Sequence, residues 1–402
     1  MLKETAIRFL AKERKKAIVK RSTHPVNNQK KTLKKLIAFA EKTVFGKNHN
    51  FSNIKSYKDF KKNVPIVDYE GIKKYINQIK EGRANILWPG LPKYFATTSG
   101  TTSGEKHIPI TKESLPNLLQ GATDALLMYI ANSGKTDIFN GKFIFLQGSP
   151  VLDEIGGVKT GRLSGISAHH VPIFLKKARL PSYKTNCIED WEEKVDAIVQ
   201  ETISQDMRVL SGIPSWLQMY FEKLQKATGK PVGKIFKNFN LLVYGGVSYA
   251  PYKNKFEKLI GRKVDSIEVY PASEGFFAFQ DELGSNDLLL ILNAGIFYEF
   301  ISESDFLKLK YNRISIEDVK IGVNYVLIVS TSAGLWAYNT GDTVMFTSTT
   351  PFKIIVTGRI SQFLSAFGEH VIVKEVENAI EQTCASTGIV VNEFTVAPKF
   401  SI

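Results

Sequence analysis

The stretch Tyr94-Phe-Ala-Thr-Thr-Ser-Gly-Thr-Thr-Ser-Gly-Glu-Lys-His107 concentrates glycines, serines and threonines ahead of a single lysine. A turn of this composition exposes backbone N–H groups, its hydroxyls add donors, and Lys106 supplies a mobile positive charge. Such a set can surround a polyphosphate. It is not a Walker A loop, which ends in Gly-Lys-Ser/Thr; here Gly104 is followed by Glu105, Lys106 and His107. The same composition also describes a plain flexible surface loop.

Three further motifs carry groups of the same chemical kind. Val269-Tyr-Pro-Ala-Ser-Glu-Gly275 ends an apolar run. Tyr270 offers a flat face for a base, Ser273 a hydroxyl, and Glu274 a carboxylate able to hold Mg²⁺ against phosphate oxygens. The Ser-Glu pair equally reads as a helix cap. In Trp336-Ala-Tyr-Asn-Thr-Gly-Asp342 an aspartate follows a glycine, where it can accept hydrogen bonds from both hydroxyls of a ribose. Gly-Asp is also common in hairpin turns. Val356-Thr-Gly-Arg359 precedes Phe367-Gly-Glu-His-Val371 and Glu375-Val-Glu377. Arg359 can reach ribose or phosphate with a fixed fork of donors, or simply be a surface arginine in a linker.

The elements that must position these groups follow from patterning. Ile7, Leu10 and Ala11, then Leu33, Leu36, Ile37 and Ala40, recur at helical spacing, with Pro25 to Asn28 between two helices and Asn28 as a candidate cap. Ile72, Ile76 and Ile79 mark a third amphipathic helix, and a fourth runs from Glu113 to about Ser133. Lys142 to Gln147 reads as a buried strand, while Gly156, Gly157 and Gly161 mark a mobile loop. Trp191 to Thr202 reads as a helix. Arg208 to Ser215 and Leu241 to Ser248 are strands leading through a turn into helices, the first helix with Pro214 near its start. Ser266 to Tyr270 repeats the strand without a clear helix after it. From about residue 285 strand follows strand, predicting a mostly antiparallel section, and Val371 to Gln382 predicts a helix in a last segment. The fold class is therefore α/β, with parallel and mixed sheets, a β-rich section, and ligands beyond the carboxyl ends of the strands.

Composition narrows the function classes. The 402 residues are 43% hydrophobic with a formal net charge of +14, which fits a globular chain of two or three domains. The basic excess lies early, in Lys12 to Lys16, Lys20-Arg21 and Lys30 to Lys35, runs expected on solvent faces of helices. A basic surface attracts anions such as nucleotides, but no nucleic-acid module or aromatic-basic platform is evident, so no nucleic-acid partner is expected. Cys187 and Cys384 lack CxxC spacing, which argues against a disulfide framework or structural zinc and fits a cytoplasmic protein. No apolar run reaches transmembrane length and the N-terminus lacks a signal-peptide core, so no membrane partner is expected.

Taken in order, the four motifs resemble the adenylate-forming superfamily, whose members activate carboxylates with ATP. Over nearly its whole length the chain more closely resembles the GH3 family of acyl acid amido synthetases. Its most specific piece is Tyr270-Pro-Ala-Ser-Glu-Gly-Phe-Phe-Ala-Phe279, supported by Asn85 to Gly90, Gly212 to Trp216 and Tyr244 to Ser248. The resemblance implies a large N-terminal adenylate-forming domain over residues 1–357, and over 358–402 the start of a small C-terminal α/β domain that is incomplete. It implies that Thr98, Ser99, Thr101 and Lys106 take phosphate, and that Gly245, Gly246 and Val247 lie beside the adenosine. Tyr270, Ser273 and Glu274 match the adenine and Mg²⁺ motif, Asp342 the ribose ligand and Arg359 the hinge arginine. Trp216 and Phe276 mark the acid pocket. ATP and Mg²⁺ are the implied cofactors; a small carboxylic acid and an amine, usually an amino acid, are the implied substrates. Where many plant relatives carry a lysine shortly after the hinge arginine this chain has His370, a weaker cation at neutral pH or simply a surface histidine. Two other outcomes fit the same motifs: transfer of the acyl group to a thiol, and a truncated module that binds ATP or acid without turnover. Oligomeric state is not readable from the sequence.

Overall fold

The structure is a computed structural model that describes residues 2–98, 104–171, 173–360, 364–366, 369–371, 373–387, 389 and 391. The chain forms two compact units, one built from Met1–Gly134, Gly148–Val171 and Tyr270–Ile355, the other from Lys135–Gln147, Pro172–Val269 and Val356–Ile402.

In the first unit the helices Leu2–Arg21 and Pro25–Ala40 start the chain. Pro25 stands at the first helical position, where its missing N–H is no loss. His24, not Asn28, is therefore the capping residue; Asn28 lies inside the helix and donates its amide to Arg21 O at 2.7 Å. The expected stripe Leu33, Leu36, Ile37 and Ala40 is buried, but on the first helix Ala11 and Ile18 face inward while Leu10 is exposed. Arg14, on that inner side, forks onto Asp124 of the Ser114–Ser133 helix at 2.6 and 2.8 Å. The basic runs at Lys12 to Lys16 and Lys30 to Lys35 keep every lysine exposed. Asp68 caps the Tyr69–Lys80 helix by accepting from Gly71 N at 3.1 Å.

The β-rich section is an antiparallel sheet as expected. Ile296–Ser302 pairs with Ile314–Ser315 and with Asn324–Thr331, which pairs in turn with Tyr338–Thr349. Leu288–Leu290 lies between Gly275–Phe279 and Phe352–Arg359. Gln29 is locked against this sheet: its amide nitrogen donates to Leu292 O and Ile296 O at 2.8 and 2.9 Å, and its oxygen accepts from Tyr298 N at 2.8 Å. A second sheet in this unit joins Tyr94–Thr98 to Lys106–Ile110 and to Val158–Arg162. Gly156 and Gly157 do not mark a mobile loop. They turn a hairpin between Asp153–Ile155 and Val158–Arg162 with φ of +58° and +78°, and Gly161 lies within the second strand.

The second unit carries the parallel sheet. Its order is Arg179–Leu180, Lys142–Phe145, Met207–Gly212, Leu241–Gly245 and Asp265–Ala272, all parallel. Helices Trp191–Thr202, Pro214–Thr228 and Lys253–Ile260 supply Val195, Ile198, Leu217, Phe221 and Phe256 to a core closed by Ile144, Leu146 and Leu210. The last described elements are a hairpin of Leu364–Ala366 with Glu369–Val371 and the helix Val373–Thr387, where a helix was expected.

A buried ion pair tests how the first unit holds together. Arg313 Nε lies 2.9 Å from Glu299 Oε1, with the side chains 4% and 0% exposed. Arg313 Nη2 also donates to Val64 O at 2.7 Å. Burial pushes the Glu299 carboxyl up to about 7, against the pull of Arg313. Removing one partner strands the other charge, so Arg313→Met is expected to lower unfolding free energy by about 3–5 kcal/mol. Adding Glu299→Leu should recover most of that loss in urea unfolding; a double variant no better than the single would contradict the assignment.

Candidate active site

The motif residues lie at strand ends and irregularities, where backbone geometry can aim a side chain. The sequence allows Asp342 to stand in a hairpin turn or to serve as a ribose ligand; the structure has no turn at this position. It sits inside Tyr338–Thr349, at a bulge opposite Leu327, since Val326 pairs with Thr343 and Ile328 with Asn339. A bulge re-aims the side chains it carries. Gly341 takes φ +82°, in the region open to glycine. Around it Thr340 Oγ1 donates to Leu327 O at 3.0 Å, Gly341 N to Asn339 Oδ1 at 2.9 Å, and Asp342 N to Thr340 Oγ1 at 3.1 Å.

Tyr270 Oη donates to Asp342 Oδ2 at 2.6 Å, with the two residues 8% and 7% exposed. Two motifs separated by 72 positions therefore meet through a short hydrogen bond. The Tyr270 ring also packs edge-on to Phe277, 5.1 Å between centroids. Ser273 and Glu274 do not cap a helix; they are the two-residue turn between Asp265–Ala272 and Gly275–Phe279.

The strand that bears Asp342 is anchored upstream. Trp336, fully buried, donates Nε1–H to Leu87 O at 3.1 Å and is ringed by Phe45, Phe51 and Trp88. Val67 N donates to Ala337 O at 3.2 Å and Asn339 N to Val67 O at 2.8 Å, tying the strand to the segment before the Tyr69–Lys80 helix.

Thr98 and Lys106 are register partners at the mouth of the hairpin whose connection is the serine- and threonine-rich stretch. Ser99 and Thr101 lie outside the described residues. Lys106 Nζ stands 5.8 Å from the centre of the Tyr69 ring, and His107 N donates to Tyr69 Oη at 2.9 Å. The His107 ring is buried against Phe95, and burial, with Lys80 nearby, pushes its pKa down against the pull of Glu105. The imidazole is thus held neutral at the base of this hairpin. The sequence alone gives His107, the last residue of that stretch, no role, and Tyr69 lies outside it.

In the second unit Gly245 and Gly246 close the Leu241–Gly245 strand. A Cβ on Gly245 would stand 2.1 Å from Val269 O, so no larger residue fits; Gly246 takes φ +87° and Val247 is exposed. Arg359 ends its strand with an exposed side chain. His370 lies in the short hairpin opposite Ser365. Trp216 packs on Trp191 with centroids 4.3 Å apart. In the first unit Phe276 is buried against the Ser114–Ser133 helix, where a Cβ on Gly121 would meet its ring at 2.4 Å. Phe277 and Phe279 are buried core residues.

This architecture defines an adenylate-forming fold. It matches the solved AtGH3.15 acyl acid amido synthetase in complex with 2,4-DB with a TM-score of 0.77 at 17% identity, covering 92% of this chain and 74% of that one. It also matches 2-hydroxyisobutyryl-CoA ligase in a post-adenylation state at TM-score 0.58 and 13% identity, covering 87% of this chain and 71% of that one. By sequence, residues 14–161 match the GH3 family N-terminal domain and residues 289–359 the GH3 family central domain. The indole-3-acetic acid-amido synthetase GH3.3 of Arabidopsis thaliana is 23% identical over 432 aligned positions, spanning 90% of this chain and 71% of the relative. The chain belongs to the GH3 family.

The Tyr270–Asp342 bond carries a prediction independent of any ligand. Tyr270→Phe removes a donor from a buried carboxylate, a change worth about 1.5–3 kcal/mol. Urea unfolding should show that loss, and a variant within about 0.5 kcal/mol of wild type would mean that the bond does not hold the two strands.

Proposed function

We propose that this chain is an ATP-dependent acyl acid amido synthetase, a carbon–nitrogen ligase. A carboxylate oxygen of a small acid attacks the α-phosphorus of ATP and pyrophosphate leaves. The nitrogen of an amine, an amino acid in this reading, then attacks the acyl carbon. The C–O bond to AMP breaks, the amide forms, and the surplus amine proton passes to solvent. The acyl-adenylate is already activated, so the chain needs no nucleophile of its own.

The observation that carries the reading is the Tyr270–Asp342 hydrogen bond, with Glu274 on the turn that follows Tyr270. Asp342 accepts from the ribose hydroxyls while Tyr270 fixes the carboxylate's orientation. Thr98, Ser99, Thr101 and Lys106 serve the phosphates, and Gly245, Gly246 and Val247 the adenosine. Ser273 supports the nucleotide and Arg359 reaches ribose or phosphate. His370 stands where plant relatives place a cation, and Trp216 and Phe276 serve the acid. Residues 1–357 act as the large domain, and 358–402 belong to the small one. We place the protein in the cytoplasm.

Among the described residues no group of three or more His, Cys, Asp or Glu side chains converges on a metal position. Mg²⁺ characteristically takes one or two carboxylates and completes its shell with phosphates and water, so a single Glu274 fits it. When bound, Mg²⁺ offsets charge that grows on the phosphates during attack. Lys106 and the N–H groups of its hairpin do the same from the protein side. No helix among the described residues is long and apolar enough to cross a membrane.

The test is pyrophosphate release with ATP, Mg²⁺ and a panel of small aromatic and aliphatic acids, with and without mixed amino acids. Acid-dependent release stimulated by amino acids is expected; ATP binding with no release from any acid would contradict the reading. Glu274→Gln and Asp342→Ala should each lower kcat/KM for release tenfold or more, about 1.4 kcal/mol. Full activity in both variants would overturn the residue assignments.

A further inference from the structure

Two glutamines of this chain are buried in opposite ways. Gln29, 2% exposed, uses its amide nitrogen and oxygen on three backbone partners. Gln147, 1% exposed, has no hydrogen-bond partner for Nε2 or Oε1 among the described residues. An unmet buried donor or acceptor costs about 1–3 kcal/mol, and such a group calls for a specific explanation.

Its place in the fold supplies one. Gln147 follows the Lys142–Phe145 strand at the carboxyl edge of the second unit's parallel sheet, where ligands of open α/β sheets bind. One strand, Met207–Gly212, separates it from Leu241–Gly245. At ordinary strand spacing the two ends stand about 10 Å apart along the sheet edge. A ligand with its adenosine at Gly245 to Val247 and its acyl part directed toward the Lys142–Phe145 strand would have that part within reach of Gln147.

We infer that Gln147 is a specificity-determining residue that hydrogen-bonds a polar substituent, a hydroxyl or carbonyl, on the acyl chain of the acid. This rests on the adenylation reading above. A carboxamide both donates and accepts, so it pairs with either substituent. A site built this way rejects an isostere that lacks the group, because binding that isostere leaves the amide unmet. The acid is then a hydroxy or keto acid rather than a plain hydrocarbon one.

The experiment compares hydroxylated acids with their methyl isosteres, such as 4-hydroxybenzoate with 4-methylbenzoate and 3-hydroxybutyrate with 3-methylbutyrate. The readout is kcat/KM for pyrophosphate release. Wild type should favour the hydroxylated member of at least one pair by tenfold or more, and Gln147→Leu should lower that ratio at least tenfold. A ratio near one for every pair in wild type, or a ratio unchanged by the substitution, would overturn the inference; a trapped water on Gln147 predicts the unchanged ratio. If Gln147→Leu does not fold, Gln147→Met and the thermal shift of wild type by each acid decide the same question, the hydroxylated acid being expected to raise Tm more. Release with any acid sustains the activity reading even where the ratio does not move. No release, with a thermal shift selective for the hydroxylated acid, overturns the activity reading and leaves Gln147 as a ligand contact.

Discussion

A buried carboxylate must be hydrogen-bonded to be tolerated, and in this protein a tyrosine 72 positions away in the chain supplies a donor to Asp342. Tyr270 donates to Asp342 at 2.6 Å in a nearly buried setting. Much of the first unit serves that contact. The bulge opposite Leu327 turns Asp342, and Gly341 allows the backbone conformation that the bulge needs. Trp336 and its aromatic ring of neighbours fix the chain just upstream. Val67 stitches the same strand to the helix that carries Tyr69, whose hydroxyl accepts from His107 in the Tyr94–Ile110 hairpin. Positioning of Tyr270 and Asp342 is thus a property of packing and not of any single loop.

Buried polar groups divide the molecule by purpose. Gln29 and the Arg14–Asp124 fork are satisfied within the protein and fasten helices to their neighbours. Arg313 and Glu299 pair in a dry interior, where the interaction is valuable chiefly because losing either partner would be so damaging. Gln147 and His107 are among the residues whose buried polar atoms lack a hydrogen-bond partner.

Much of this was legible from the sequence because the informative signals were local. Trp191–Thr202 and the two strand-to-helix turns at Gly212 and Gly245 follow directly from helical spacing and glycine placement. The errors also have local causes. Asn28 looked like a cap, but Pro25 already fits the first helical turn and moves the start forward. Gly156 and Gly157 looked mobile, but positive φ is what a tight hairpin demands. Leu10 sits one position off the buried face set by Ala11, Arg14 and Ile18, a face partly defined by a charge and so invisible to a hydrophobic count. The Tyr270–Asp342 contact and the orphaned Gln147 amide were out of reach for a different reason: both depend on partners, present or missing, that no sequence window contains.

The central claim is that an acid oxygen is transferred to the α-phosphate of ATP, and its most direct test follows that oxygen. The protein is incubated with ATP, Mg²⁺, amino acid and an accepted acid labelled with ¹⁸O at both carboxylate oxygens, and the products are read by mass spectrometry. The account predicts AMP carrying one ¹⁸O, an amide retaining the other, and unlabelled pyrophosphate. Unlabelled AMP, or ADP and phosphate in place of AMP and pyrophosphate, would contradict it.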